Sequence, residues 1–394
     1  MSRIIGVLTT GRWDYGICTP ILRAIEQASD LELQLLVTGA HLSPEFGNTV
    51  EEIRADGFEI SNTVEILLSS DSPEGVAKAV GLASMGFSQV FSHSRPDMLL
   101  VVGDRFEVHA IVSAAIPFRI PVAHVHGGEV TRGAVDDLYR HAITKMSHLH
   151  FATTPDYGNR IRQMGEEAWR IHVTGAPGID NFTNLTLPKV WETEVALGVD
   201  LSTPTLLSTY HPVTQEADSG YGGLESLLSG IQELDLSVIF THPNMDSSGR
   251  RITARIREFV EDYAKATVLV NASQPHYLNL MRSVSAMAGN SSSGIIEAAS
   301  FELPVVNIGS RQEGRVRARN VIDAAPDADA VVAALGEATS PSFRKSLAGM
   351  DNPYGSGKAG EAIADVLSKV DISPGLLLKR FVDLTPASSE DIGC

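Results

Sequence analysis

Cysteine is nearly absent from this chain. Cys18 and Cys394 are the only two among 394 residues. Two cysteines build no disulfide framework and no Cys-x-x-Cys metal pair. A reduced, cytoplasmic setting is the expectation. Positive charge is also scarce, with 31 Lys and Arg against 48 Asp and Glu and a formal net charge of −17. Surfaces that bind DNA or RNA need clustered cations to displace counterions, so no nucleic-acid partner is expected. A local basic pocket for a phosphorylated small molecule stays open. Long apolar runs are missing as well. None approaches the roughly 18 residues of a membrane span, so no membrane partner is expected. The apolar run within the first ten residues is too short for a secretory signal and reads as a buried first strand.

What the chain does have is ordinary globular composition, 43% hydrophobic with glycine and proline scattered throughout, and length enough for two domains. Short β-branched runs alternate with amphipathic stretches. Strands are expected at Ile4–Leu8, Leu33–Thr38, Met98–Val102 and Val122–His126. Helices are expected at Pro20–Ala28, Gly47–Asp56, Glu107–Ala115 and Asp136–Ser147. The rhythm restarts after residue 185, with strands at Thr205–Ser208, Ser237–Thr241, Thr267–Val270, Ala286–Gly289 and Val305–Asn307. Helices Arg250–Lys265 and Gln274–Met281 lie among them. This βαβ alternation predicts an α/β protein of two doubly wound, Rossmann-like domains facing across a cleft. Their expected bounds are 1–185 and 186–372, followed by an extension over 373–394 that ends in a mobile tail. Ligands of such sheets sit beyond the carboxyl ends of the strands.

The strand ends are where the chemistry gathers. Gly289-Asn290-Ser291-Ser292-Ser293-Gly294 reads as strand, tight turn and helix start. Its small residues, hydroxyls and free N–H groups suit a phosphate, although serine is also a common helix cap with no ligand. Glu297, about one turn on, is placed to accept bonds from a ribose hydroxyl pair. Arg12, after Thr9-Thr10-Gly11, has forked donors that suit a diphosphate. Arg311, in Gly309-Ser310-Arg311-Gln312, is read as a further phosphate contact. Asp104 and Arg105 follow another strand, as a proton acceptor beside a phosphate-binding cation or as a helix cap beside a solvated arginine.

His124-Val125-His126-Gly127-Gly128-Glu129 ends the next strand, and the period-two histidines are expected on one strand face. Asp136 and Asp137 then begin a helix that carries Arg140 and His141, with Asp136 facing Arg140 and Asp137 facing His141. Acid–base chemistry on a polar substrate is the preferred reading of this cluster. A structural ion-pair network is one alternative. Zinc is another, suggested by His-x-His, but no further ligand has obvious spacing, and neither metal nor cofactor is expected. His211-Pro212 and His242-Pro243-Asn244-Met245-Asp246 end strands of the second half.

Taken in order, these motifs resemble the hydrolysing UDP-N-acetylglucosamine 2-epimerases of bacterial sialic and related nonulosonic acid biosynthesis. The resemblance runs from Gly6 to about Asp323. It is carried by Gly11 to Gly16, Val37 to Leu42, Gly103-Asp104-Arg105, His124 to Glu129, Arg140 to Lys145, Gly175 to Asp180, His211 to Thr214, Gly289 to Glu297 and Gly309 to Gln312. It implies the glycosyltransferase-B architecture, a homodimer, and a chain end that crosses back to the first domain somewhere in 355–380. The reaction it implies is loss of UDP from C1 with removal of the C2 proton, giving a 2-acetamidoglycal. Water then adds with inverted configuration at C2, leaving an N-acetylmannosamine-type sugar and UDP. Arg12, Arg105, Arg311 and the Ser291/Ser292 helix end would neutralise the diphosphate. Asp104, Glu129 and Asp136 would be the acid–base candidates, with Glu129 preferred over His126 as the acid. His211 would sit by the diphosphate or sugar, Asn244 and Asp246 by the nucleotide, and Glu297 by the ribose. Two departures stand out. Trp13 replaces the small residue that usually follows the first arginine, and some relatives carry glutamate at the position of His126. UDP-N-acetylglucosamine is the expected substrate. UDP-N,N′-diacetylbacillosamine, on the way to legionaminic acid, is the alternative within the family, and a glycosyltransferase of the same architecture is the alternative outside it.

Overall fold

The computed structural model describes residues 2–68, 70, 72–132, 135–213, 220–241, 249–269 and 272–383, with the backbone alone at 183, 184 and 250. Two sheets organise them. The first contains β1 (Arg3–Thr9), β2 (Leu31–Thr38), β3 (Ile60–Val64), β4 (Met98–Val102), β5 (Val122–Val125), β6 (Leu149–Ala152) and β7 (Ile171–Val173), in the order β3-β2-β1-β4-β5-β6-β7. Every pairing is parallel; Val7, for example, is in register with Leu35 on one side and Leu100 on the other. The second contains β8 (Thr205–Thr209), β9 (Ser237–Thr241), β10 (Ala266–Leu269), β11 (Ala286–Gly289), β12 (Val305–Ile308) and β13 (Val321–Ala324), in the order β10-β9-β8-β11-β12-β13, again all parallel.

Parallel sheets covered on both faces need apolar side chains on both, which is why β4 reads Met-Leu-Leu-Val-Val with every residue buried. Ile5, Val7, Leu100 and Val125 feed one core, and Leu8, Leu99, Val101 and Val122 feed the other. In each sheet the strand order reverses once, between β1 and β4 and between β8 and β11. A doubly wound sheet opens a crevice at that reversal, at the carboxyl ends of its strands.

The chain divides into two compact units. The first comprises Met1–Glu129, Asp136–Asp180 and the chain from Gly357 onward; the second comprises Val130–Val135 and Asn181–Ser356. These bounds differ from the expected 186–372, because the helix Ala359–Lys369 packs in the first unit. Asp180 accepts from the backbone N–H groups of Ala359 (3.0 Å) and Gly360 (2.7 Å), capping that helix, and Ile363, Ala364 and Leu367 join the core of β1 and β2. Val130–Val135 belongs with the second unit, where Arg132 pairs with Glu313 (2.9 Å) and Arg315 donates to Thr131 (3.2 Å). The chain beyond Asp371 is tied down through residue 382. Arg170 donates to the carbonyls of Gly375, Leu376 and Leu378, and Val382 N–H donates to Gly165. The mobile tail expected at the end of the 373–394 extension falls, after residue 383, outside the described residues.

One helix begins earlier than proline signals suggest. The expectation started it at Pro20, but it spans Arg12–Gln27 with Pro20 inside. The true start is set by Asp14, whose carboxylate accepts from the Thr10 N–H (2.9 Å) and Thr10 Oγ1 (2.6 Å), satisfying donors at the helix entry.

Candidate active site

In the first unit the switch-point loops follow β1 and β4, joined by the loop after β5. β4 ends at Val102, and Gly103 turns the chain into Asp104. Asp104 does not cap the next helix. That helix, Phe106–Ala115, has Arg105 at its N-cap position with no side-chain cap bond, and the Asp104 carboxylate instead forms an ion pair with Arg140 Nη2. Arg140 is almost fully buried. Its Nη1 donates to Asp137 (2.9 Å) and to the Glu129 carbonyl (3.1 Å). Burial opposes its charge, but Asp104, Glu129 and Asp137 outweigh that and raise its pKa. Arg140 thus ties the β4 loop, the β5 loop and its own helix together. Asp136 is the first residue of that helix and half-buried. Asp137 also lies 3.6 Å from His141.

The expectation that His124 and His126 share a strand face does not hold, because β5 stops at Val125 and His126 takes a left-handed conformation, φ 66°. Non-glycine residues adopt that region at a cost, and such sites cluster where function demands them. The two imidazoles have different roles. His124 lies 2.7 Å (Nε2) from the Gly103 carbonyl, and burial pushes it down to about 3. It is neutral, donates from Nε2, and fixes the turn that presents Asp104. His126 is buried, with Nδ1 2.7 Å from Glu129 Oε1. The same carboxylate oxygen accepts from Thr153 Oγ1 at 2.9 Å. His126 Nε2 is buried with no protein partner among the described residues.

Arg12 opens its helix half-exposed and pairs with Glu52 at 3.0 Å. Arg105 pairs with the buried Glu107 at 3.3 Å and lies over the Trp13 ring. Behind them is a network that sequence reasoning passed over. Asp14, pushed up to about 6 by burial against its Thr9 and Thr10 bonds, accepts from Thr9 Oγ1. His41 sits 2.9 Å (Nε2) from Thr9 Oγ1 and 2.7 Å (Nδ1) from Thr49 Oγ1. Burial and the Arg12 charge push it down to about 4. Both residues lie inside runs that carry the resemblance, Gly11 to Gly16 and Val37 to Leu42; an acidic residue in the first turn of the helix is the local signal for Asp14.

In the second unit the switch point lies between the loops after β8 and β11. Asn290 joins them: its Oδ1 accepts from the His211 N–H (2.6 Å) and its Nδ2 donates to the His211 carbonyl (2.8 Å). The Asn290 carbonyl accepts from Arg311 Nη1 (3.1 Å) and Gln312 Nε2 (2.8 Å), which follow β12. In the sequence Asn290 is one residue of a small-residue turn; in the fold it is the hub. Gly289 precedes it at φ 142°, where an added Cβ would stand 2.1 Å from the Thr209 carbonyl. Burial, then the nearby Arg311 charge, holds His211 well below the usual imidazole range, so it is neutral.

Ser291 caps the next helix, accepting from Ser293 N–H at 3.4 Å, and Ser292 is its first residue. That helix is only five residues, Ser292–Ile296. The expected macrodipole is therefore small, and the serine hydroxyls and local N–H groups carry more of any anion binding. Glu297 is its C-cap. Desolvation and the Glu297 charge push the Tyr277 hydroxyl up to about 12. Asn244 and Asp246 lie outside the described residues.

Among the described residues, no group of three or more His, Cys, Asp or Glu is placed to hold a metal ion, and no helix is long and apolar enough to cross a membrane. Two Rossmann-like units, each with polar side chains at its switch point, define the glycosyltransferase-B fold class. A Neisseria meningitidis UDP-GlcNAc 2-epimerase, solved bound to UDP-GlcNAc, shares this fold with a TM-score of 0.81 at 18% identity, over 94% of this chain and 100% of that one. The family described as UDP-N-acetylglucosamine 2-epimerase matches residues 23–368. The chain is 38% identical to the UDP-N,N′-diacetylbacillosamine 2-epimerase (hydrolyzing) of Legionella pneumophila over 96% of this chain and 99% of that protein. It is also 38% identical to the GDP/UDP-N,N′-diacetylbacillosamine 2-epimerase (hydrolyzing) of Campylobacter jejuni, over 82% and 84%. The chain belongs to the UDP-N-acetylglucosamine 2-epimerase family and is an enzyme of its hydrolysing UDP-sugar kind.

Proposed function

We propose that this enzyme hydrolyses and epimerises UDP-N,N′-diacetylbacillosamine, releasing 2,4-diacetamido-2,4,6-trideoxymannose and UDP. The observation that carries this choice over UDP-N-acetylglucosamine, the substrate expected first, is the pair of 38%-identical relatives, both named for the diacetamido sugar. By the same family likeness the enzyme is a homodimer, which sedimentation at micromolar concentration tests.

The chemistry is an elimination followed by a hydration. A base takes the C2 proton while the C1–O bond breaks and UDP leaves with the bonding pair. Water then gives its hydroxyl to C1 of the glycal and its remaining proton to a nearby carboxylate or solvent, while an acid delivers a proton to the opposite face of C2. Inversion needs two proton-carrying groups, one per face. We assign them to Asp104, held by Arg140, and to His126, whose Nε2 is a buried nitrogen with no protein partner among the described residues. Glu129 becomes the orienting partner of His126 rather than the acid itself, because its Oε1 already accepts two bonds. Asp136 is kept as a candidate for directing water. By resemblance, Arg12, Arg105, Arg311, Ser291 and Ser292 are assigned to the diphosphate, His211 to its neutral hydrogen bonding, and Glu297 to the ribose. Asn244 and Asp246 stay nucleotide contacts by resemblance alone.

Side-by-side kcat/KM measurements with the two UDP-sugars test the substrate. A preference of about 100-fold for the diacetamido sugar is expected, the discrimination a site gains when it pairs polar groups its competitor lacks. Equal or reversed rates restore UDP-N-acetylglucosamine.

A further inference from the structure

Trp13 is one of the two points at which this chain leaves the pattern it resembles, and the structure gives the indole a defined set of neighbours. The ring lies against Gly11, where an added Cβ would stand 2.4 Å from its Cζ2. Its Nε1 donates to Thr10 Oγ1 at 3.2 Å, and that hydroxyl donates onward to Asp14 at 2.6 Å. Above the ring stands the Arg105 guanidinium, its carbon 4.7 Å from the centroid. Arg105 is held from another side by Glu107, which is itself almost fully buried.

An arginine on a loop samples many rotamers, and ordering it when charge develops costs free energy at the moment of reaction. A flat aromatic surface and a fixed carboxylate order it beforehand. Both the stacked ring and the planar guanidinium suit that contact. Arg105 immediately follows Asp104, so a guanidinium fixed there sets a positive charge beside a proposed proton-carrying group. A small side chain at position 13 offers no such platform.

We propose that Trp13 is a positioning residue for the reaction: it locks the Arg105 guanidinium in the orientation that stabilises the departing diphosphate, and its indole occupies the space a side chain at position 11 would take. This rests on the proposed UDP-sugar chemistry.

The expected signature is a loss in kcat with little change in KM, because the charge on the leaving group grows only in the transition state. Trp13→Leu lowers kcat about tenfold, the scale of one cation–π contact, and Trp13→Phe restores most of it. Gly11→Ala displaces the ring and reproduces the Trp13→Leu loss, and the two together are no worse than either. Trp13→Leu adds nothing to Arg105→Ala. A ligand-free readout accompanies these. The Arg105 Nε–Hε NMR cross-peak, assigned with Arg105→Lys, is displaced by the indole ring current in the wild type and returns to the ordinary arginine position in Trp13→Leu. Additive losses, a change confined to KM, or a cross-peak indifferent to Trp13 overturns the proposal. If the wild type turns over no UDP-sugar, the proposed function fails, and the cross-peak still decides whether Trp13 orders Arg105.

Discussion

His126 and Glu129 form a buried pair, Nδ1 to Oε1 at 2.7 Å, in which the histidine backbone is left-handed. The carboxylate is occupied by His126 and Thr153, and the imidazole presents its second nitrogen. In the proposed chemistry this pair works as one unit, with the ring as its working end. His126→Gln is expected to lower kcat by about 10²–10⁴-fold, the range for a general acid or base, with KM nearly unchanged. Glu129→Gln, which leaves the ring in place but loosened, costs less. Steady-state kinetics check the order; a larger loss for Glu129→Gln would return the acid role to Glu129.

Arg140 holds Asp104, Asp137 and the Glu129 carbonyl from a buried position. Removing one partner of a buried ion pair leaves uncompensated charge, at a cost of about 3–5 kcal/mol. Arg140→Ala is expected to unfold at markedly lower denaturant and to be inactive. Arg140→Lys recovers part of the stability but little activity, since one ammonium cannot span three acceptors. Urea titrations together with turnover measure both.

Glu166 is buried among Lys145 (2.6 Å), Lys379 (2.8 Å) and His150 (3.0 Å). Burial raises its pKa, but the bonds from His150, Lys145 and Lys379 outweigh it and bring the carboxyl down to about 2 from 4.5. A depressed carboxylate stabilises the fold fully above its unfolded pKa and loses that contribution as pH falls toward the folded value. The shift corresponds to roughly 3 kcal/mol. The stability gap between wild type and Glu166→Gln should be full at pH 7 and shrink below about pH 4.5. Denaturant unfolding across that range decides it; a gap independent of pH contradicts the assignment.

Gly289 sits at φ 142°, with no room for a Cβ against Thr209. Gly289→Ala is expected to cost roughly 2–3 kcal/mol. By moving Asn290 it should also weaken UDP binding, read by calorimetry. Unchanged UDP affinity would separate this turn from the nucleotide.

Much of this was legible in the sequence for identifiable reasons. Strands such as Met98–Val102 and Ala286–Gly289 are short apolar runs that stop at glycine, and that composition separates them from the polar loops that follow. The loop clusters at Asp104, His126–Glu129 and Asn290–Ser292 follow directly from where such strands stop. What escaped depends on side chains that meet across distant sequence. Arg140 reaches Asp104 from 36 residues away, and Asn290 reaches His211 across 79. The return of Ala359–Lys369 to the first unit was expected from resemblance alone. Its physical cause, Asp180 capping the helix from 179 residues away, has no local signature. The early start of Arg12–Gln27 is the exception: its signal, Asp14 folding back on Thr10 four residues before it, is local, but Pro20 imitates a helix beginning and draws the expected start away from it.

The most direct test of the account is turnover of UDP-N,N′-diacetylbacillosamine in deuterated water without any acceptor, followed by NMR. Free UDP and an equal amount of the manno-configured sugar carrying one deuterium at C2 are expected. UDP release only when an acceptor sugar is added, or a product that keeps the original hydrogen at C2, would contradict it.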